Sequence, residues 1–214
     1  MPSDTTDDPA DDDDGGSRIS DEDIARAAAA IRAGEAVVYP TETVYGLGAD
    51  ATDSAAVERV FDLKGRSRDK PLSVAFGSVD AALSLVPASD RAARFARAFL
   101  PGPVTVVVDR GDALPGELTG GEPRVGIRVP DHETARALAD ATGPITATSA
   151  NRSGAGSVRQ VADLDPRIRD GCAAVLDGGE TPGGESTVVD PDRDVIHRAG
   201  PLAEEIREWL ADES

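Results

Sequence analysis

Five short stretches concentrate the residue types that handle anions. The window Lys64-Gly65-Arg66-Ser67-Arg68-Asp69-Lys70 holds both lysines of a chain that otherwise uses arginine throughout. A lysine ammonium is a compact point charge with three donors, and an arginine is a planar fork that takes phosphate oxygens two at a time. Two of each within seven residues suit a polyphosphate. The competing reading, a solvated basic turn, is the commoner use of such a run, but it loses ground in a chain of net charge -18. In Arg124-Val125-Gly126-Ile127-Arg128, strand alternation puts Arg124, Gly126 and Arg128 on one face, where two guanidinium groups could grip two anionic groups. An exposed edge strand would show the same pattern. The loop Ser149-Ala150-Asn151-Arg152-Ser153-Gly154-Ala155-Gly156-Ser157 offers hydroxyls and backbone amides to a phosphate or carboxylate, although alone it also fits an ordinary polar turn. Glu185 to Asp190 and the run Pro40 to Asp50, which reads as a loop rich in hydroxyls and glycine, complete the set.

Two familiar nucleotide motifs do not apply. Gly46-Leu47-Gly48-Ala49-Asp50-Ala51 matches a dinucleotide fingerprint in letters, yet its glycines start too far past the preceding strand and open no helix. The G-x-x-x-x-G-K-[ST] phosphate loop is absent. Cys172 has no partner for an internal disulfide, and His132 and His197 lack zinc-ligand spacing, so a structural metal is not expected.

Alternating helical and strand patterns position these stretches. Ser20 and Asp23 form a capping box for a helix through Ile24, Ala27, Ala28 and Ile31, closed by Gly34. A strand follows over Ala36 to Tyr39, then a helix capped by Asp53 with the face Val57, Val60, Phe61, Lys64, and a strand over Leu72 to Phe76. Further helices are expected over Val79 to Leu85, Asp90 to Phe99, Glu133 to Ala141 and Leu202 to Leu210, with a weak helical stretch over Val161 to Ile168. Strands are expected over Val104 to Val108, Val125 to Val129, Ile145 to Thr148, Ala173 to Leu176, Thr187 to Val189 and Val195 to Arg198. The pattern is α/β: an open, twisted, mostly parallel or mixed sheet with packed helices, ligands lying at the carboxyl ends of strands.

Residues 1–17 carry seven Asp and almost no apolar surface. They read as a disordered acidic tail before one domain over residues 18–214. Forty acidic residues against 22 basic ones resemble proteins of concentrated salt, where the Debye length falls to about 3 Å at molar strength and anion binding relies on direct contacts. No apolar run approaches the ~20 residues of a membrane span, and the start is unlike a signal peptide, so a cytoplasmic protein is expected.

In order along the chain, PTETVYGLGADA, KGRSRDKPLSV, LPGPVTVVV, RVGIRVPDH, TATSAN, GESTVVD and HRAGP resemble the L-threonylcarbamoyladenylate synthase family with its YrdC-like domain. The resemblance covers nearly all of the chain after the acidic tail. It implies a single YrdC-like domain with a concave basic groove, in which ATP, L-threonine and bicarbonate give threonylcarbamoyl-AMP and pyrophosphate. A separate tRNA-modifying transferase complex would receive that product. By match to the family motifs, Lys64 and Arg66 would be catalytic, and Arg66, Lys70, Arg124, Ser149, Ser157 and Arg198 would hold ATP. Thr41, Thr43, Arg128, Ala147 through its backbone, Asn151 and Ser186 would hold threonine or its carbamate. Magnesium would come with ATP, ligated mainly by phosphate and water. Lys64→Ala is expected to abolish turnover and leave the fold intact.

Three positions depart from the family pattern: Ser67 and Thr148 where proline is common, and Ala75 where many members have a histidine near threonine. The chain ends one helix after HRAGP and so resembles the short form of the family. Two rival readings share the fold. One is a non-catalytic module for tRNA or double-stranded RNA, disfavoured by 3% aromatic content and idle hydroxyl clusters. The other is a carbamoyl-adenylating domain of hydrogenase maturation, which usually sits in a longer chain with zinc-finger parts.

Overall fold

The first helix, α1 (Asp21–Arg32), opens where the sequence says it should: the Ser20 side chain accepts from Asp23 N, and the Asp23 carboxylate answers at the Ser20 backbone. The computed structural model describes residues 19–212, so the expected acidic tail lies outside the described residues. After α1 come β1 (Val37–Tyr39), β2 (Gly46–Gly48), α2 (Ser54–Lys64), β3 (Ser73–Ala75), α3 (Val79–Leu85) and α4 (Asp90–Phe99). The chain continues through β4 (Val104–Asp109), β5 (Arg124–Arg128), α5 (Glu133–Thr142), β6 (Ile145–Ser149) and α6 (Pro166–Asp170). It closes with β7 (Ala174–Val175), β8 (Thr187–Asp190), β9 (Val195–Arg198) and α7 (Ala203–Asp212).

One open sheet runs β7-β1-β2-β6-β3-β5-β4-β8-β9. Parallel pairing joins β1 to β7, β3 to β5 and β4 to β8, and the remaining ladders are antiparallel. The α/β expectation with a mixed sheet holds, whereas a mostly parallel sheet does not. Consecutive strands pair antiparallel in β1–β2, β4–β5 and β8–β9, and β6 inserts antiparallel between β2 and β3.

Alternation gives the sheet two unlike faces. Val38, Leu47, Val74, Val106, Ile127 and Val189 point to one side and join the buried faces of α2, α4 and α7 in the main core. Phe95 and Trp209 meet there edge to face, centroids 4.9 Å apart. On the other side α1 and α5 cover only one end, against Val37, Tyr39, Ala75 and Ile145. The rest of that face is left open.

Two local expectations are corrected. The glycine-rich run after Tyr39 was expected as a loop, but Gly46–Gly48 is a strand paired to both β1 and β6. A side chain at Gly46 would put its Cβ 2.7 Å from Tyr39 Cζ, and one at Gly48 would lie 2.9 Å from Tyr39 Cε1. The glycines are there because the Tyr39 ring lies across them. The stretch 161–168 is no single helix: a 3-10 turn over Val161–Asp163 is followed by α6, which begins at Pro166 with the Asp165 carboxylate capping Arg167 N. Proline starts helices well and continues them badly.

Candidate active site

The open sheet face forms a groove of about 660 Å3, within the range of small-molecule sites. Its floor runs across β3, β4, β5 and β6, through Ser73, Thr105, Val107, Gly126 and Ala147. The groove therefore crosses the strands rather than sitting at their carboxyl ends as expected. Gly126 makes the floor flat, because a Cβ there would lie 2.7 Å from Thr105 Cγ2 and 2.8 Å from Ser73 Oγ. Arg124 and Arg128 flank it on the same face, as alternation requires.

The four cations of the Lys64 window go four different ways. Arg66 lines the groove, with Nε donating to Lys70 O at 3.0 Å and Nη2 to Pro71 O at 3.0 Å. Main-chain carbonyls hold its direction without cancelling its charge, and burial lowers its pKa. Arg68 turns back to α2, pairing with Glu58 and Asp62 over the Phe61 ring. Lys70 is exposed and does not line the groove.

Lys64 is the larger surprise. It was expected to be catalytic and dispensable for the fold, yet it is only 2% exposed and lies behind the groove wall. Its Nζ donates to Ser149 O, to Asn151 O at 2.7 Å and to Asn151 Oδ1 at 3.3 Å. Three acceptors for three ammonium protons make it a bracket between the end of α2 and the Ser149–Asn151 turn. Burial, with Arg66 adding to it, pushes its pKa down to about 7. Asn151 is also buried outside the groove lining. It accepts from Ser149 Oγ and donates from Nδ2 to Ala155 O, so it shapes the loop that carries Ser149 and Ser157 to the groove.

At one side, Arg198 and Ser186 act together. Arg198 Nε donates to Ser186 O at 2.9 Å and Nη2 to Ser186 Oγ at 2.9 Å, while Thr105 Oγ1 lies 3.0 Å from the same Oγ. Gly200 permits this: a Cβ there would lie 2.7 Å from Glu185 O and from Thr187 N. On the opposite side, Thr41 Oγ1 donates to Val44 O at 2.7 Å and lies 3.0 Å from Thr43 Oγ1. Thr41 thus fixes the turn and Thr43 shares its hydroxyl face with the groove.

Charge compensation separates the arginines. Arg124 donates to Asp190 Oδ1 at 2.7 Å, Asp109 Oδ1 at 2.9 Å and Val107 O at 3.0 Å. Arg128 pairs with Glu42. Arg124, expected as a free anion grip, is thus a tie among β4, β5 and β8 that still lines the groove. Sequence reasoning also gave no role to Glu42, Ser73, Thr105, Glu122, Arg193 or His197. Thr105 was findable as the one polar residue within Val104 to Val108, and Glu42 as the one acid in a threonine-rich turn. Ala75 is fully buried under α5 and lies outside the groove lining.

The family model for Sua5, YciO and YrdC, described as telomere recombination, matches residues 29–200. The threonylcarbamoyl-AMP synthase of Pyrococcus abyssi is 40% identical over 178 residues, 81% of this chain and 52% of that protein. The threonylcarbamoyl-AMP synthase of Bacillus subtilis is 42% identical over 196 residues, 87% of this chain and 56% of that one. The chain spans about half the length of these curated relatives. The solved structure of P. abyssi Sua5 complexed with L-threonine superposes with a TM-score of 0.81 at 39% identity, covering 89% of this chain and 58% of that one.

Proposed function

The chain belongs to the Sua5, YciO and YrdC family, and from that premise we propose that its groove makes threonylcarbamoyl-AMP from ATP, L-threonine and bicarbonate. The observation that carries this is the convergence of Arg66, Ser149, Ser157 and Arg198 with Thr43, Arg128, Ala147 and Ser186 on one groove, although they come from distant parts of the sequence. The first four suit a triphosphate and the second four an amino acid. A relative holding L-threonine supports the second assignment.

The chemistry asks for little covalent help. The threonine amine forms a bond to the carbon of bicarbonate with loss of water, giving a carbamate. A carbamate oxygen then attacks the α-phosphorus while the bond to the β-phosphate oxygen breaks and pyrophosphate leaves. Positioning and charge neutralisation dominate such adenylyl transfer, and Arg66, whose charge only carbonyls contact, is placed to supply both. Magnesium belongs to the nucleotide in this reading, with phosphate oxygens and water as ligands. Among the described residues no group of three or more His, Cys, Asp or Glu is gathered to hold an ion.

The product, a reactive mixed anhydride, would pass to a separate transferase that modifies tRNA, which sets the work in the cytoplasm. No helix among the described residues is long and apolar enough to cross a membrane. Pyrophosphate release, measured with ATP, threonine and bicarbonate omitted in turn, tests the proposal. Release should need all three, and release without threonine would refute it.

A further inference from the structure

Arg128 is held from across the open face. Glu42 sits in the turn after β1, Arg128 ends β5, and β2, β6 and β3 lie between those strands. Their side chains nevertheless meet as an ion pair, Arg128 Nη2 donating to Glu42 Oε1, each only 13% exposed. Glu42 Oε2 and Arg128 Nε are buried without hydrogen-bond partners. Arg128 lines the groove and Glu42 does not, so Glu42 stands behind it. Tyr39 faces both charges, and Asp131 adds a second carboxylate near Glu42. Burial raises the Glu42 pKa above the usual carboxylate value, and Arg128 offsets only part of that rise.

The pair is neutral as a unit. A ligand bearing only a carboxylate meets an arginine whose charge is already cancelled, and it is repelled by Glu42 behind. An amino acid carries its own ammonium, so with its carboxylate on Arg128 its dipole lies head to tail with that of the pair, and attraction between the ammonium and Glu42 offsets the repulsion. Discrimination built on a repulsive element is a general route to specificity. We propose that Glu42 is a positioning and specificity residue, which aims Arg128 at the α-carboxylate and makes the groove select α-amino acids over acids lacking the amine. This rests on the reading that Arg128 takes threonine's carboxylate.

The test is calorimetric titration of the full chain with L-threonine, with 3-hydroxybutyrate (threonine without its amine) and with ATP. Wild-type protein should prefer threonine to 3-hydroxybutyrate. Glu42→Gln should narrow that preference by about threefold to tenfold, the low end of charge-pair coupling because Arg128 stands between, and leave ATP binding unchanged. Glu42→Asp keeps the charge on a shorter arm, so it should weaken threonine binding and retain the preference, and it decides the matter should the Gln variant not fold. No wild-type preference, an unchanged preference in Glu42→Gln, a lost preference in Glu42→Asp, or equal losses for threonine and ATP would overturn the proposal. Wild-type protein that binds no threonine and releases no pyrophosphate with it would instead overturn the functional reading beneath it.

Discussion

Lys64 behaves as a structural hydrogen-bond donor whose consequence is catalytic. Removing its side chain leaves the carbonyls of Ser149 and Asn151 unpartnered and opens a void behind the groove. Lys64→Ala should therefore cost about 2–4 kcal/mol of stability as well as turnover, read by equilibrium denaturation beside an activity assay. Lost turnover with unchanged stability would return Lys64 to direct contact with ligand. Its pKa of about 7, depressed from 10.5 by burial, gives a second signature. Between those values the folded chain binds fewer protons here than the unfolded one, so this group makes stability climb as pH rises from 7 toward 10.5. Below 7 its contribution is flat, and Lys64→Met should remove the climb. The sequence held the clue: Val57, Val60, Phe61 and Lys64 share one helical stripe, and a residue on a buried stripe points inward. Arg66, two positions on and past Gly65 in the left-handed conformation (φ 58°), leaves that stripe and reaches the groove.

Among elements, the decisive part is the flat centre of β5. Gly126→Ala would push a methyl into Thr105 and Ser73, both short side chains rooted in neighbouring strands. It should cost roughly 1–3 kcal/mol in strain and raise KM for threonine and nucleotide, checked by steady-state kinetics alongside thermal unfolding. Normal KM values in a folded Gly126→Ala protein would show that ligands do not rest on this floor. Most elements were legible because their caps and apolar runs are strong, as with Ser20, Asp53 and the β-branched run Val104–Val108. β2 was not, since glycine has poor strand propensity and only the Tyr39 ring, a tertiary partner, calls for it. The break at Pro166 is legible in the sequence, because proline starts a helix well and continues one badly. The motif stretches that were to gather did so, apart from Lys64 and Asn151, whose side chains brace the wall from behind, and Lys70, whose side chain is exposed. Pairings such as Arg124 with Asp190 or Arg128 with Glu42 join distant residues, and no local pattern announces them.

At the scale of the whole molecule, a net charge of -18 surrounds a groove lined by Arg66, Arg124, Arg128, Arg193 and Arg198 against Glu122 and Glu185. Acidic self-repulsion opposes folding at low salt, and molar KCl screens it to a Debye length of about 3 Å. Thermal stability should rise from dilute buffer to molar KCl, and a flat or falling melting temperature would remove the halophilic interpretation of the composition. The groove needs no long-range field under such conditions, because Arg66, Arg128 and Arg198 are held in place by fixed partners. The most direct measurement of the central claim is mass spectrometry of the adenylate formed from ATP, L-threonine and 13C-bicarbonate. The groove predicts one product combining AMP, threonine and a single labelled carbon. An adenylate without the label, or a labelled adenylate formed when threonine is omitted, would contradict it.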